Sequence, residues 1–533
     1  MGHYIEKSDF IQMNELLYVI IFHYNVSIMT KLLISTILVN VLGLVLVIPV
    51  EFFWWAVPSW FATLVALAAV ILDVLYIVKA GREKRRVSKV LLTCLTVYTM
   101  LTMLFFAFCF PYWNSNVYKR NVKNVALSYD TKLTQKQALQ DLDYAFKQLN
   151  RIHPAMLDKN GEDYKKVRAA YETARNTISQ KDSTTVVELN QHIERFLSVL
   201  GDAHSYAKAY YGDARYMKYV DQINDEDYSF VEFEGIPYEE LLQQKKDLFS
   251  YESELWALPD LRDYTIYYQY LVFLGYDLEK PVTYTLEKTE EDGSKTTKHL
   301  TVTKDDFLPL SEYLEYNKKY REQKKEETST PTSFCSYEID KEHDVAILTL
   351  TSCENNAEYK NCLRQMFTEV KENNIGNVAV DVRKNGGGSS LVINNFIKYL
   401  DTDDFYEPTY SSRLGPFLVK SGTGRKINHR INDLLFTGNV YILSSVKSFS
   451  SAMMFPQMIK DNGLGKVIGQ APANNPNGYG DVVHFNMPNS RIFMQVSYKK
   501  FHRVNQNTTE KYVEPDYPCA SDEVFEVLYG MTK

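Results

Sequence analysis

Ser450 lies in Ser448-Phe449-Ser450-Ser451-Ala452, between an apolar run, Val440 to Leu443, that reads as a buried strand and a stretch, Ala452 to Ile459, that reads as a helix. A hydroxyl at a strand-to-helix turn is held on rigid backbone near helix N-terminal amides, the arrangement that presents a nucleophile beside an oxyanion site. The same serines also suit a helix N-cap, and on this segment alone capping is the commoner role. A second segment changes the balance. Asn377 to Val382 is another buried-strand pattern, and it runs into Asp381-Val382-Arg383-Lys384-Asn385-Gly386-Gly387-Gly388-Ser389-Ser390. Successive glycines let a backbone approach a ligand closely and turn its amides inward. The segment lacks the Gly-Lys-Ser/Thr ending of a P-loop and is not Gly-x-Gly-x-x-Gly. An anion hole for a tetrahedral intermediate therefore fits it better than a phosphate cradle.

Asp381-x-Arg383-x-Asn385-x-Gly387-Gly388, followed by Ser450-Ser451-Ala452, Gly469 and Pro515-Asp516, resembles the C-terminal processing (tail-specific) serine peptidases, a family that includes the tricorn protease core and a retinoid-binding protein. The likeness runs in order from about Thr134 to Pro518. It implies a ClpP/crotonase-like α/β catalytic domain, with a mostly parallel sheet covered by helices. One branch uses a lysine about twenty-five residues after the serine. That position is Asn475 here, and no lysine lies between Lys466 and Lys499. The tricorn-like branch uses a distant upstream histidine, and Gly201-Asp202-Ala203-His204-Ser205 matches its setting. The resemblance thus makes Ser450 the nucleophile and His204 the base, since an imidazole with a pKa near ~6.5 can take and return the serine proton. Amides of Gly387 or Gly388 and of Ser451 would stabilise the oxyanion. The orienting acid in that branch is a glutamate shortly before Val-x-Pro-Asp, which implies Glu510, with Glu514 as the alternative. Ala203 replaces the serine that precedes the histidine in the tricorn core. The other reading is a family member that keeps the fold and binds without hydrolysis. Among the remaining histidines, His484 and His502 are the rivals for the base, both on C-terminal strands.

The chain has 533 residues, 45% apolar and 23% charged, which excludes wholesale disorder. A net charge of -7 and the lack of a nucleic-acid motif exclude a nucleic-acid partner. The spacings of its six cysteines match no zinc pattern, and neither a metal nor another cofactor is expected. Leu32 to Val50, Phe52 to Val78 and Val90 to Phe110 are long, nearly uncharged runs, each meeting the ~20 residues needed to cross hydrocarbon. They predict three transmembrane helices, with Asp73 snorkelling toward an interface. Lys79 to Lys89 is basic, so the positive-inside rule places that loop and the N-terminus in the cytoplasm and everything after Trp113 outside. Residues 1 to 30 are mixed, and Met29 is a plausible start.

These readings divide the chain into an N-terminal segment (1–31), a membrane anchor (32–111), a connector (112–133), a helical cap (134–218), a β-rich insert and linker (219–330) and the catalytic α/β domain (331–533). Thr134-x-x-Gln137 is a capping-box pattern, and Glu162 to Ile178 and Thr185 to Leu200 are further helices, the last delivering His204. The insert, with a hairpin at Val282 to Val302, is similar to the PDZ-like module of relatives, and Lys318 to Ser329 reads as an exposed linker. From Ser336 onward strands and helices alternate, as in a parallel sheet. The expected function is a membrane-anchored serine endopeptidase acting on polypeptides outside the cytoplasm.

Overall fold

The alternation after Ser336 builds a sheet. In the computed structural model, which describes residues 28, 30–42, 59–82, 90, 93–94, 97–98, 126–209, 214–290, 292–323 and 333–532, six strands lie side by side. Cys335–Asp340 runs antiparallel to Val345–Leu350. Asn377–Asp381, Asn439–Ser444, Lys466–Gly469 and Tyr517–Pro518 then follow in parallel. The central strands are apolar on both faces, as a sheet covered on both sides requires. One face packs against Ala357–Glu372, Leu391–Ile397 and Ser451–Asp461 through Leu348, Val380, Phe396, Phe455 and their neighbours. The other face sends Ile347, Ala379 and Leu443 toward Val524–Thr532. Asp381 and Ser444 close their strands at the same end, so the chain leaves both strands into loops that must meet.

The helical cap precedes this sheet. Thr134 and Gln137 form the reciprocal capping box at the start of Gln135–Ile152, and Thr185 with Glu188 does the same for Val186–Ser198. With Glu162–Ser179 these helices bury Leu142, Leu149, Val167, Ile178, Leu189 and Phe196. Directly after the last helix, Tyr206–Lys208 pairs with Phe493–His502 at the edge of a second, antiparallel sheet that also contains Thr409–Leu414 and Tyr479–Asn486. The loop that carries His204 is therefore tethered at both ends, by the helix Val186–Ser198 before it and the strand Tyr206–Lys208 after it.

The insert carries more helix than its sequence suggested. Its sheet of Ser229–Phe233, Ile236–Pro237, Val282–Thr289 and Lys295–Val302 includes the expected hairpin, but Tyr238–Lys245, Glu254–Thr265 and Tyr268–Phe273 are helices packed around Phe233, Tyr284 and Leu261. The expected linker begins inside a helix, Leu310–Gln323, while 324–332 lie outside the described residues.

At the N-terminal end the fold expectation is corrected. Among the described residues no helix is long and apolar enough to cross a membrane, which overturns the three-helix anchor and the multi-pass location drawn from it. The second apolar run forms Ser59–Arg82, but Asp73 does not snorkel: it is fully buried and accepts a hydrogen bond from Asn40 Nδ2 at 3.0 Å. Asn40 also donates to the Thr36 carbonyl, so the contact between this helix and the helical residues 30–42 has a polar centre. Most of the third run, and residues 43–58, lie outside the described residues. Compactness divides the chain into two units, and every candidate site residue belongs to the one comprising Val122–Arg413 and Leu418–Lys533.

Candidate active site

The loops leaving Asp381 and Ser444 are strapped together by their own polar side chains. Ser448 Oγ donates to the Val382 carbonyl at 2.9 Å, Ser445 Oγ to that of Arg383 at 2.6 Å, and the Phe449 amide to that of Asn385 at 3.0 Å. Asn385 is fully buried; its Nδ2 donates to the Leu350 carbonyl, and its Oδ1 accepts from the Gly387 amide. Arg383 pairs with Asp381 at 2.7 Å, donates to the Ser521 carbonyl and lies over the Phe525 ring. Asp516 accepts from the Val467 amide at 2.9 Å and pairs with Lys466. The motif residues Asp381, Arg383, Asn385 and Asp516 thus hold backbone in place.

What they hold is Ser450. It precedes the helix Ser451–Asp461 at φ 57°, ψ -122°, a left-handed conformation that a non-glycine residue adopts at a cost of about 1–3 kcal/mol. Its side chain makes no capping hydrogen bond, so the N-cap role does not account for it. The Ser450 amide donates to Asn474 Oδ1 at 2.8 Å. Gly387, at φ 104°, passes so close that a Cβ there would sit 2.7 Å from Ser450 Cβ and 3.2 Å from the Ser451 amide nitrogen. Only glycine satisfies both the torsion and the approach. The Gly387 amide is spent on Asn385, whereas those of Gly388 and Ser451 have no hydrogen-bond partner among the described residues. Ser451 Oγ donates to the Gly388 carbonyl at 2.9 Å, tying the glycine loop to the helix start.

His204 meets this turn from the cap. Its loop is fixed from the second sheet, where Gln495 Nε2 donates to the His204 carbonyl at 2.8 Å and the Ser497 amide to Ser205 Oγ at 2.9 Å. The imidazole stacks on Phe449, the residue before Ser450, with ring centroids 4.5 Å apart, and Trp256 of the insert covers Phe449 at 4.9 Å. Two carboxylates face one edge of the ring: Asp202 Oδ1 and Glu252 Oε1 each lie 3.9 Å from Nδ1. Among the described residues both ring nitrogens and Glu252 Oε1 are buried with no partner of good hydrogen-bond geometry, although the Tyr479 backbone approaches the ring closely enough to favour its protonated form.

The two acids are tuned apart. Burial pushes Asp202 up, but the His153 hydrogen bond and the electrostatic pull of the neighbouring His153 and His204 rings outweigh it and hold the carboxyl at about 2. His153 is fully buried; its Nδ1 accepts from the Ala155 amide, so its Nε2 carries the proton given to Asp202 Oδ2 at 3.1 Å. Glu252 is pushed up to about 8, first by burial and then by the Asp202 charge, despite hydrogen bonds from Asn474 and the Asn475 amide. Burial likewise lowers His204, with Asp202 and Asp481 pulling the other way. At neutral pH the ring is therefore uncharged.

Glu510 lies elsewhere: Oε1 accepts from Lys460 at 2.8 Å and Oε2 from Arg503 at 2.9 Å, and Glu514 is exposed with its carbonyl bonded to Lys460. Neither carboxylate is within 4.0 Å of a His204 nitrogen. His502 is bonded to Ser411 and His484 packs on Phe493. Asp202 was within reach of sequence reasoning, two residues before the histidine in the same turn. Glu252 gave no signal, because nothing in Tyr251-Glu252-Ser253-Glu254 marks which acid of the insert will fold inward. Beside Phe449 a cavity of about 250 Å³ opens between Trp256, Tyr264, Tyr270, Phe449, Lys208 and Asp260.

Residues 344–519 match the model of peptidase family S41, a span that holds the parallel sheet, the glycine loop and the Ser450 turn. No curated protein matches the chain in sequence. Among solved structures, mature CPAF is 13% identical over 75% of this chain and 97% of its own, with a TM-score of 0.53. Mature CPAF complexed with lactacystin is 12% identical over 74% and 96%, with a TM-score of 0.52. The photosystem II D1 C-terminal processing protease is 13% identical over 72% and 93%, with a TM-score of 0.38. At such identity the CPAF likeness is one of fold. Taken with the peptidase family S41 match over residues 344–519, it supports a serine peptidase.

Proposed function

We propose that Ser450 is the nucleophile and His204 the general base of an endopeptidase that hydrolyses polypeptide substrates through an acyl-enzyme. The observation that carries this reading is the strained Ser450 backbone at a helix start, one residue after Phe449, on whose ring the buried imidazole of His204 is stacked. Ser450 Oγ attacks the peptide carbonyl and passes its proton to His204 Nε2, the nitrogen turned away from the two acids. The oxyanion is taken by the amides of Gly388 and Ser451, which the fold leaves unspent; Gly387 contributes close approach rather than its amide. The imidazolium returns its proton to the leaving amine, and water repeats the cycle on the ester.

Asp202, ionised and held by His153, supplies the negative charge that stabilises the imidazolium. Glu252, bound to Asn474 and through it to the Ser450 amide, keeps the ring and the nucleophile in one frame. This division differs from the Glu510 expected by resemblance, and the ion pairs of Glu510 with Lys460 and Arg503 support an architectural role for that residue instead. The aromatic walls beside Phe449 favour a large apolar side chain next to the scissile bond.

Replacing Ser450 by alanine should lower kcat/KM on an unfolded polypeptide by ~10³-fold or more, with the circular dichroism spectrum unchanged. A serine-directed fluorophosphonate should label the parent and not the variant. Equal turnover by both proteins would remove the assignment, and a folded parent that resists labelling would favour binding without hydrolysis.

A further inference from the structure

The group of atoms that faces His204 Nδ1 is also a ligand set. We infer that Asp202, His204 and Glu252 bind one divalent cation of the zinc class, which switches the peptidase off. Asp202 Oδ1, His204 Nδ1 and Glu252 Oε1 all lie within 4.8 Å of one another. Each carboxylate oxygen is 3.9 Å from the nitrogen, close enough to share one ion and too far for a hydrogen bond. Two of the three atoms, His204 Nδ1 and Glu252 Oε1, are buried with no hydrogen-bond partner of good geometry among the described residues, and the Glu252 side chain is only 3% exposed.

The outer atoms of both carboxylates are already fixed. Asp202 Oδ2 is held by His153 Nε2, and Glu252 Oε2 by Asn474 Nδ2 and the Asn475 amide. Such outer hydrogen bonds are what orient carboxylates around a metal. One imidazole with two carboxylates suits zinc, whereas calcium and magnesium take oxygen ligands almost exclusively. Bonds of about 2.0–2.1 Å place the ligands of a tetrahedral zinc about 3.3 Å apart, so each acid–imidazole distance needs to shorten by about 0.6 Å and the acid–acid distance by up to about 1.5 Å. None of the cysteines takes part.

A cation on Nδ1 would lock the ring to its acids and place a positive charge where the imidazolium must form. Turnover then stops for two reasons at once: His204 cannot accept the serine proton without meeting that charge, and Asp202 no longer faces it alone. The inhibitory consequence rests on the role proposed for His204; occupancy of the site does not.

The test titrates zinc chloride calorimetrically into the chelator-stripped full chain as parent, Ser450→Ala and Glu252→Gln. One site is expected in the first two, weakened at least ~10-fold in the third. Cobalt(II) on the parent gives a readout that needs no variant: a visible band of nitrogen and oxygen ligation without thiolate charge transfer. Saturating zinc should lower hydrolysis of an unfolded polypeptide by ~10-fold or more, with chelator restoring it. Absence of a site in the parent, unchanged affinity in a folded Glu252→Gln protein, a thiolate band, or full turnover at saturating zinc would each overturn the inference. A parent that binds zinc in this way yet hydrolyses nothing would sink the hydrolytic reading of His204 while supporting the cation site.

Discussion

The two halves of the site are built on opposite principles. On the nucleophile side, Ser445, Ser448, Asn385, Arg383 and Asp381 all spend their polar atoms on neighbouring backbone or on each other, and the strained Ser450 is what this satisfied frame supports. On the base side, His204 and Glu252 are as deeply buried but carry unpartnered atoms, with two acids crowding one nitrogen. A buried polar group that is satisfied stabilises; one left unsatisfied costs about 1–3 kcal/mol and is kept where it does chemistry. Residues of the first kind are architecture even when a motif advertises them, and residues of the second kind are where the proposed mechanism puts the reaction.

The sharpest way to break this contrast is to compare carboxylates. Asp202→Asn should lower kcat/KM by ~10²–10⁴-fold, because the imidazolium loses its anion and a single amide oxygen cannot accept from both His153 Nε2 and the His204 amide. Glu510→Gln should leave kcat/KM within about threefold and cost about 1 kcal/mol of stability, since it weakens only the partly exposed pairs with Lys460 and Arg503. Steady-state kinetics with denaturant melts on both variants reads the two effects separately. The reverse ranking would return the acid role to Glu510 and erase the distinction between the halves.

A smaller loss is expected from the frame itself. Gly387→Ala forces a Cβ to 2.7 Å from Ser450 Cβ and 2.8 Å from the Phe449 carbonyl, at a torsion that alanine resists. The collision displaces the amides of Gly388 and Ser451 from the oxyanion, so kcat should fall by ~10²–10³-fold with KM little changed. A fall confined to KM would place the glycine loop in substrate binding instead.

How much of this was legible follows from which forces are local. Strand and helix periodicity placed Ala357–Glu372 and the strands leading to Asp381 and Ser444, because burial on a sheet writes itself into consecutive residues. The left-handed Ser450 turn was visible as a serine between a strand and a helix beside a glycine loop. The Asp202–His153 pair and Glu252 were not: they join residues 49 apart and, through Asn474, 222 apart, and long-range polar pairing leaves no period in a sequence. Tyr238–Lys245 and Tyr268–Phe273 were missed because 8 and 6 residues are too few to show a helical period. The apolar runs near the N-terminus misled because an apolar run alone does not separate a spanning helix from one that buries a polar pair such as Asp73 with Asn40.

The least dramatic prediction separates the two acids of the base side by pH. Glu252 sits at about 8, so below that value it carries a proton and a glutamine imitates it; above it the parent gains a second anion beside His204 while the variant does not. The extra charge favours the imidazolium, so kcat of the parent should rise a few-fold, by about threefold, between pH 7 and 9, and Glu252→Gln should lack that rise. Both proteins should share an acid limb below the ordinary imidazole value of about 6.5, because burial lowers His204 and the ring must be neutral to act as base. Stability gives the opposite sign. A carboxyl raised on folding stabilises below its unfolded value near 4.5, and that contribution is lost as pH rises through about 8, so the glutamine variant should gain in melting temperature relative to the parent at alkaline pH. A parent whose alkaline rate and stability both match those of the variant would show that Glu252 does not titrate against His204, leaving Asp202 as the single acid of the base side.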